Sequence, residues 1–343
     1  MESSKVNLLK EILAVPSKTG DEKRLISYLS EYLSVRGYNY IVDAMGNIYV
    51  TKGVAKSYPL VMAHTDTVHP ITEMVVREVN EKDTKGEFKM ALKAFTQEGD
   101  MPCGIGGDDK AGVFICLQLL EMVDNIKVYL PVQEETGCYG SQFAVDKHKG
   151  FFTDVSYSLM FDSPQNDSMS KTLMGTNLYD ESSVFFQESK DFIIEHGINK
   201  WQDHPYTDSM VLRRAFGFQT LNLAAGYYNY HSKNEYVIVD DVQNSIDLGF
   251  KIISNLSEKN YTAEYVANWV SEPVDIFYDE GDDLEDDLEF VRAVDRSMYE
   301  DYMLRFDTLS LKEKYELRDY IVDLVSEEED KYVQQRHQYF QDY

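Results

Sequence analysis

The chain has 343 residues, 43% of them hydrophobic and 13% aromatic, and a formal net charge of −27. It is long enough to bury a sizeable core in one large domain or two. It lacks the clustered cations that phosphate contacts need, so nucleic acid is not the expected partner. No apolar run reaches the length of a membrane span, and Met1 to Lys5 lacks the apolar core of a signal peptide. Cys103, Cys116 and Cys138 are too few and odd in number for a disulfide framework. The protein therefore reads as cytoplasmic, with no membrane partner.

Residues 3–14 predict a helix, with Leu8, Leu9, Ile12 and Leu13 at helical spacing. Pro16 to Glu22 breaks it and starts a second helix carrying Leu25, Ile26, Leu29 and Leu33, which stops at Gly37. Tyr38 to Val42 and Ile48 to Val50 read as strands around a turn at Ala44 to Asn47. Tyr58 to Ala63 is apolar on both faces, as a central strand should be. Residues 71–100 fit a hairpin at the domain edge, being too short for a domain of their own.

Ala111 to Val123 predicts an apolar helix directly after Gly107-Asp108-Asp109. Lys127 to Val132 and Val155 to Phe161 read as strands, as do Val184 to Phe186 and Gln219 to Leu223. Thr207-Asp208-Ser209 opens a helix through Arg214, with Thr207 or Asp208 as its cap. Val239 to Leu256 is the last helix of this part. The composition changes near residue 263. Residues 263–343 hold 24 acids against 8 lysines and arginines. Their Asp279 to Glu289 run is an acidic linker, and Ser310 to Glu313 fits a capping box for a further helix. The expected division is a catalytic domain over 1–262 and an acidic, partly helical extension over 263–343.

Three blocks carry the chemistry: Val61 to Asp66, Gly106 to Lys110, and Gln133 to Gly137. The first and third follow apolar strands, and ligands of open α/β sheets bind beyond the carboxyl ends of such strands. His64 and Asp66 are alternate residues, which share a face, so the carboxylate can reach the ring's second nitrogen. Glu134-Glu135 ends a strongly apolar strand, where exposed charge has few structural reasons. One glutamate could ligate a metal while its neighbour takes a proton from the attacking water. Asp162 ends another apolar strand, and His231 follows Leu221 to Tyr230. Histidine with several carboxylates and no cysteine is the ligand set of hydrolytic rather than structural zinc. His69, His148, His196 and His337 lack such a context and read as structural or surface residues. His204 lies in a loop beside Pro205.

In their order, these blocks resemble the co-catalytic dizinc exopeptidases: peptidase T, the glutamate carboxypeptidases and acyl-amino-acid deacylases, and the single-domain zinc aminopeptidases. Pro16-Ser17, Gly20, Glu22 and Gly46-Asn47-Ile48 resemble the opening of that family, and the likeness covers most of residues 5–256. The resemblance implies a three-layer α/β/α fold with a mostly parallel mixed central sheet, of the phosphorylase/hydrolase-like zinc peptidase kind. It implies two zinc ions, with manganese or cobalt also acceptable to a carboxylate-rich site. His64 and Asp162 would hold one, Glu135 and His231 the other. Asp108 would bridge them, with a cis peptide to Asp109. Asp66 would orient His64, and Glu134 would be the general base. Asp208 would lie near the substrate pocket, lined by Tyr227 to Tyr230, Tyr228 among them.

Only 68 residues separate Asp162 from His231, and 43 separate His64 from Asp108. Neither interval has room for the inserted domain that some branches carry there. Losing the lid also removes a carboxylate-gripping arginine, which favours an aminopeptidase over a carboxypeptidase. The expected activity is amide hydrolysis by a water that two metals activate, with a peptide as substrate. A deacylase of N-acyl amino acids would use the same residues. A non-catalytic binding protein on the same fold is the remaining alternative.

Overall fold

Among the described residues, nine strands hydrogen-bond into one sheet. The computed structural model describes residues 1–173, 176–204, 207–256 and 261. In chain order these form α1 (Ser3–Ala14), α2 (Lys23–Val35), β1 (Tyr40–Val42), β2 (Ile48–Lys52) and β3 (Tyr58–Met62). There follow β4 (Met74–Lys82), β5 (Phe88–Thr96), β6 (Pro102–Cys103), α3 (Gly107–Met122), β7 (Ile126–Leu130), α4 (Tyr139–Lys147) and α5 (Lys149–Phe152). Next come β8 (Val155–Ser163), β9 (Ser168–Leu173), β10 (Thr176–Asn177), α6 (Val184–Glu195) and β11 (Lys200–His204). The described chain closes with α7 (Asp208–Phe216), β12 (Gln219–Ala224), β13 (Tyr227–Tyr228), β14 (Tyr236–Ile238) and α8 (Val239–Leu256). The acidic extension expected over 263–343, with its capping box at Ser310, lies outside the described residues.

The four strands β7, β3, β8 and β12 run parallel, while β2 joins β7 and β9 joins β12 antiparallel. The expected mostly parallel mixed sheet is thus present. Every residue of β3, β7 and β8 is buried, which is why these stretches read as continuous apolar runs rather than alternating ones. Alternation still sorts their side chains by face. Val61 and Val128 point into the larger core cluster with α1, α3 and α8. Leu60, Met62 and Tyr129 point into the smaller one with α4 and α7. Helices on both faces of one sheet make three layers.

Two expectations need correction. Val184 to Phe186 does not form a strand but the first turn of α6, whose Ser183 side chain accepts from the Phe186 amide at 3.2 Å. Its buried Phe185, Ser189 and Ile193 fall at helical spacing, whereas three apolar residues alone fit either structure. The hairpin of residues 71–100 exists as β4 and β5, but it is not a lone edge feature. β14 pairs with β5, and with β13 and β6 they make a second, antiparallel sheet of five strands. No described helix is long and apolar enough to cross a membrane.

Candidate metal centre

The parallel strands deliver their functional side chains at one edge. β3 leads to His64, β7 to Glu134 and Glu135, β8 carries Asp162 near its end, and β12 leads through β13 to His231. Asp108 comes from the start of α3, where Asp108 and Asp109 have non-helical backbone angles and a cis peptide joins them.

Asp108 lies at the centre. Its Oδ1 is 3.2 Å from His64 Nε2, and its Oδ2 is 3.4 Å from His231 Nε2. Asp162 Oδ1 lies 3.5 Å from His64 Nε2, and Glu135 Oε1 lies 3.0 Å from His231 Nε2. Glu134 Oε2 approaches His64 Nε2 to 3.9 Å. The structure thus brings together His64, Asp108, Glu134, Glu135, Asp162 and His231, which the sequence scatters over 168 positions.

One ring nitrogen of His64 has a fixed role. Its Nδ1–H donates to the Asp66 carbonyl at 3.0 Å, since a carbonyl can only accept. Nε2 is left facing the carboxylates, as a metal-ligating imidazole requires. Asp66 acts more widely than expected. Its carboxylate is 3.4 Å from His64 Nδ1 and also accepts the amides of Glu134 at 2.9 Å and Glu135 at 3.1 Å. Thr19 Oγ1 donates to it at 2.9 Å. One buried carboxylate therefore ties together the loops after β3 and β7 and the Pro16–Glu22 loop. Asn47 braces the second loop from behind, accepting from the Val132 amide and donating to the Gly140 carbonyl, both at 3.0 Å.

The charges are out of balance. Burial pushes the Asp162 carboxyl up to about 7. Burial, with the charges of Asp162, Asp208 and Glu135, holds Glu134 well above the usual carboxylate range despite His64. The hydrogen bonds to Asp108 and Glu135 raise His231 to about 10. Burial disfavours the charged His64 ring, yet Glu134, Asp108, Asp162 and Asp66 together raise it well above the ordinary value. So many carboxylates in a buried cluster call for cationic charge beyond two imidazoles. Ligand atoms of His64, Asp108 and Glu135 lie within 4.8 Å of one another, as do those of His64, Asp109 and Asp162. Ligands about 2 Å from a shared ion stand at such separations. The donor set and its spacing fit divalent metal.

Asp109 was not among the expected site residues. It is fully buried, and its Oδ2 accepts the His64 amide at 3.2 Å while Oδ1 accepts from Gly112. Glu235 was also missed: its buried carboxylate accepts the amides of Gly106 and Asp108 and pairs with His69. Its place four residues after His231 was the only signal. The two residues expected near a substrate pocket, Tyr228 and Asp208, are both buried. Tyr228 is buried away from the cluster, stacked on Tyr236, with its hydroxyl donating to Asp241 at 2.7 Å. Strand alternation turns Tyr227 inward instead, its hydroxyl 3.4 Å from Asp162 Oδ1. The half-exposed Tyr230 ring stands edge-on to His231. Asp208 is wholly buried at the head of α7 and lines no open surface.

Fold and site together fit a class, the metal-dependent, aminopeptidase-like exopeptidases, and resemble the co-catalytic zinc exopeptidases. Within that class, the family model of the M42 glutamyl aminopeptidases matches residues 93–248. Among solved structures, the chain is similar to the aminopeptidase PepT of Bacillus cereus, at 15% identity and a TM-score of 0.60, covering 73% of this chain and 97% of that one. It is similar to a tripeptidase of Staphylococcus aureus at 13% identity and a TM-score of 0.57, covering 73% and 96%. An aminopeptidase of Desulfurococcus kamchatkensis gives 14% identity and a TM-score of 0.55, covering 77% and 99%. At these identities the likeness is one of fold. No curated protein matches the chain in sequence.

Proposed function

We propose that the chain removes N-terminal residues from peptides, using two zinc ions and Glu134 as general base. The observation that carries this reading is the disposition of Asp108, whose two oxygens face two different histidines. His64 and Asp162 would hold one ion, Glu135 and His231 the other, and Asp108 would serve both. Bound there, the ions would polarise the scissile carbonyl and lower the pKa of the attacking water. Glu134 takes that water's proton and returns it to the leaving amine. Asp66 holds Glu134 in place by its backbone amide. Tyr227 steadies Asp162 through its hydroxyl. Deacylation of an N-acyl amino acid would use the same groups.

We place the protein in the cytoplasm, a reading supported by its three free cysteines. We assign catalysis to residues 1–262, because every residue of the cluster falls within them. Truncation after Thr262 should then leave activity intact.

Elemental analysis and a substrate panel test the reading. Two metals per chain and hydrolysis of aminoacyl amides are expected. Glu134→Gln should keep the metals and lose about 10²–10⁴ in rate. Preference for N-acyl amino acids would make it a deacylase. Failure to take up zinc, manganese or cobalt would leave a binding protein.

A further inference from the structure

Asp108 can serve two ions only if its backbone is held so that both oxygens diverge correctly. Helix hydrogen bonding does not hold it, because Asp108 and Asp109 depart from helical geometry. Glu235 holds it instead. Its Oε1 accepts the Asp108 amide at 2.9 Å, and its Oε2 accepts the Gly106 amide at 2.9 Å. The intervening Gly107 has no space for a side chain: a Cβ there would stand 2.6 Å from Val237 Cγ2 and 2.9 Å from Tyr227 Cβ. The segment Gly106–Asp108 is therefore pressed against β14 and clamped at both ends by one carboxylate. That carboxylate is itself held. His69 Nε2 lies 2.7 Å from Glu235 Oε2, and the His69 ring rests directly on Gly104, where a Cβ would come within 2.1 Å of it. His69 and Gly104 line a cavity of about 290 Å³. Glu235 also closes the turn that begins at Ser232, next to His231, its amide donating to the Ser232 carbonyl at 3.1 Å.

We propose that Glu235 is the positioning residue of the metal centre: it sets Asp108 as the bridge, and His69 keeps Glu235 in register from the cavity side. The proposal rests on the reading of Asp108 as a bridging ligand. Replacing the carboxylate by an amide keeps the shape but leaves one nitrogen that cannot accept a backbone N–H. Either Gly106 or Asp108 then loses its partner, and the bridge is no longer fixed.

The test uses the full chain, stripped of metal and titrated with zinc against a competing chelator, with thermal unfolding and steady-state kinetics on an aminoacyl amide alongside. Glu235→Gln should weaken uptake of one or both ions by about 10–100-fold, the usual effect of losing an outer-shell partner. Turnover should fall in proportion while KM moves much less, because no group that touches substrate has changed. Gly104→Ala displaces the His69 ring without touching a carboxylate, and His69→Gln removes the ring's pairing. Both should weaken zinc uptake in the same direction by less, and they carry the test if Glu235→Gln does not fold. Folded variants that bind both ions and turn over as the wild type does would overturn the proposal, even if their melting temperatures drop. A wild-type chain that takes up no metal would instead sink the metal reading itself, and this proposal with it.

Discussion

Asp66→Asn is the sharpest perturbation of the site, because it alters no ligand and no reacting group. The Asp66 carboxylate is fully buried and accepts from Glu134 N, Glu135 N and Thr19 Oγ1. Burial would raise its pKa, but His64 and the two amides outweigh that and lower it, so the group is ionised at neutral pH. Asparagine keeps the shape and one accepting oxygen. Its amide nitrogen must then face the N–H of Glu134 or of Glu135, leaving one buried donor unpaired at about 1–3 kcal/mol. The remaining bonds fall from charge-assisted to neutral, costing roughly 1 kcal/mol more each. Relief of a buried charge offsets part of this, for a net loss of about 2–4 kcal/mol in stability.

The loss falls on the loop that carries both glutamates. A shift of about 1 Å there costs roughly 10²-fold in rate, and losing a partner of His64 costs a further 10–100-fold in metal affinity. We expect kcat/KM to fall by about 10³-fold, equivalent to about 4 kcal/mol. Chemical denaturation, zinc titration and kinetics on an amino-acid amide measure the three effects. Thr19→Val, which removes one exchangeable bond, should cost less than about tenfold and about 1 kcal/mol. An Asp66→Asn protein within about tenfold of wild type, with its metals bound, would refute the reasoning.

Asp208 gives a pH prediction for the metal-free chain. Burial raises its folded pKa to about 7, above an unfolded value of about 4. Its contribution to stability is therefore complete below about pH 4 and is lost as the pH rises through about 7. Asp208→Asn should match the wild type at the acid end and exceed it at pH 8. A constant difference across denaturation curves from pH 5 to 8 would contradict this. Gly140→Ala places a Cβ 2.4 Å from Asn47 Oδ1 and from the Val132 carbonyl. Overpacking at such a site costs about 1–3 kcal/mol, and the displaced Asn47 brace should lower turnover as well as melting temperature. A fall in melting temperature with turnover unchanged would show that Asn47 does not position the Glu134 loop.

Much of the cluster was legible because His64, Glu134, Glu135 and Asp162 stand at or just beyond the ends of strands buried on both faces, while Asp108 opens a helix. A charged residue there marks the chain's emergence at the sheet's carboxyl edge, as at Met62-Ala63-His64 and Phe161-Asp162. Other features left no trace. The first turn of α6 is too short an apolar run to reveal its period. The second sheet needs β5 to meet β14, which begins 140 residues beyond it. Tyr227 and Tyr228 are chemically identical neighbours, and only strand orientation sends one toward Asp162 and the other to Asp241.

By itself, then, the sequence determined which residues could bind metal and that a parallel sheet would present them, since both follow from local pattern along single strands. Only the tertiary structure decided how they are held. Asp66 reaches three loops, Asp109 the His64 amide, and Glu235 the Gly106 and Asp108 amides. Each of these is a side chain satisfying backbone groups distant in sequence. Backbone donors are the same at every position, so their pairing exists only once the chain has closed on itself.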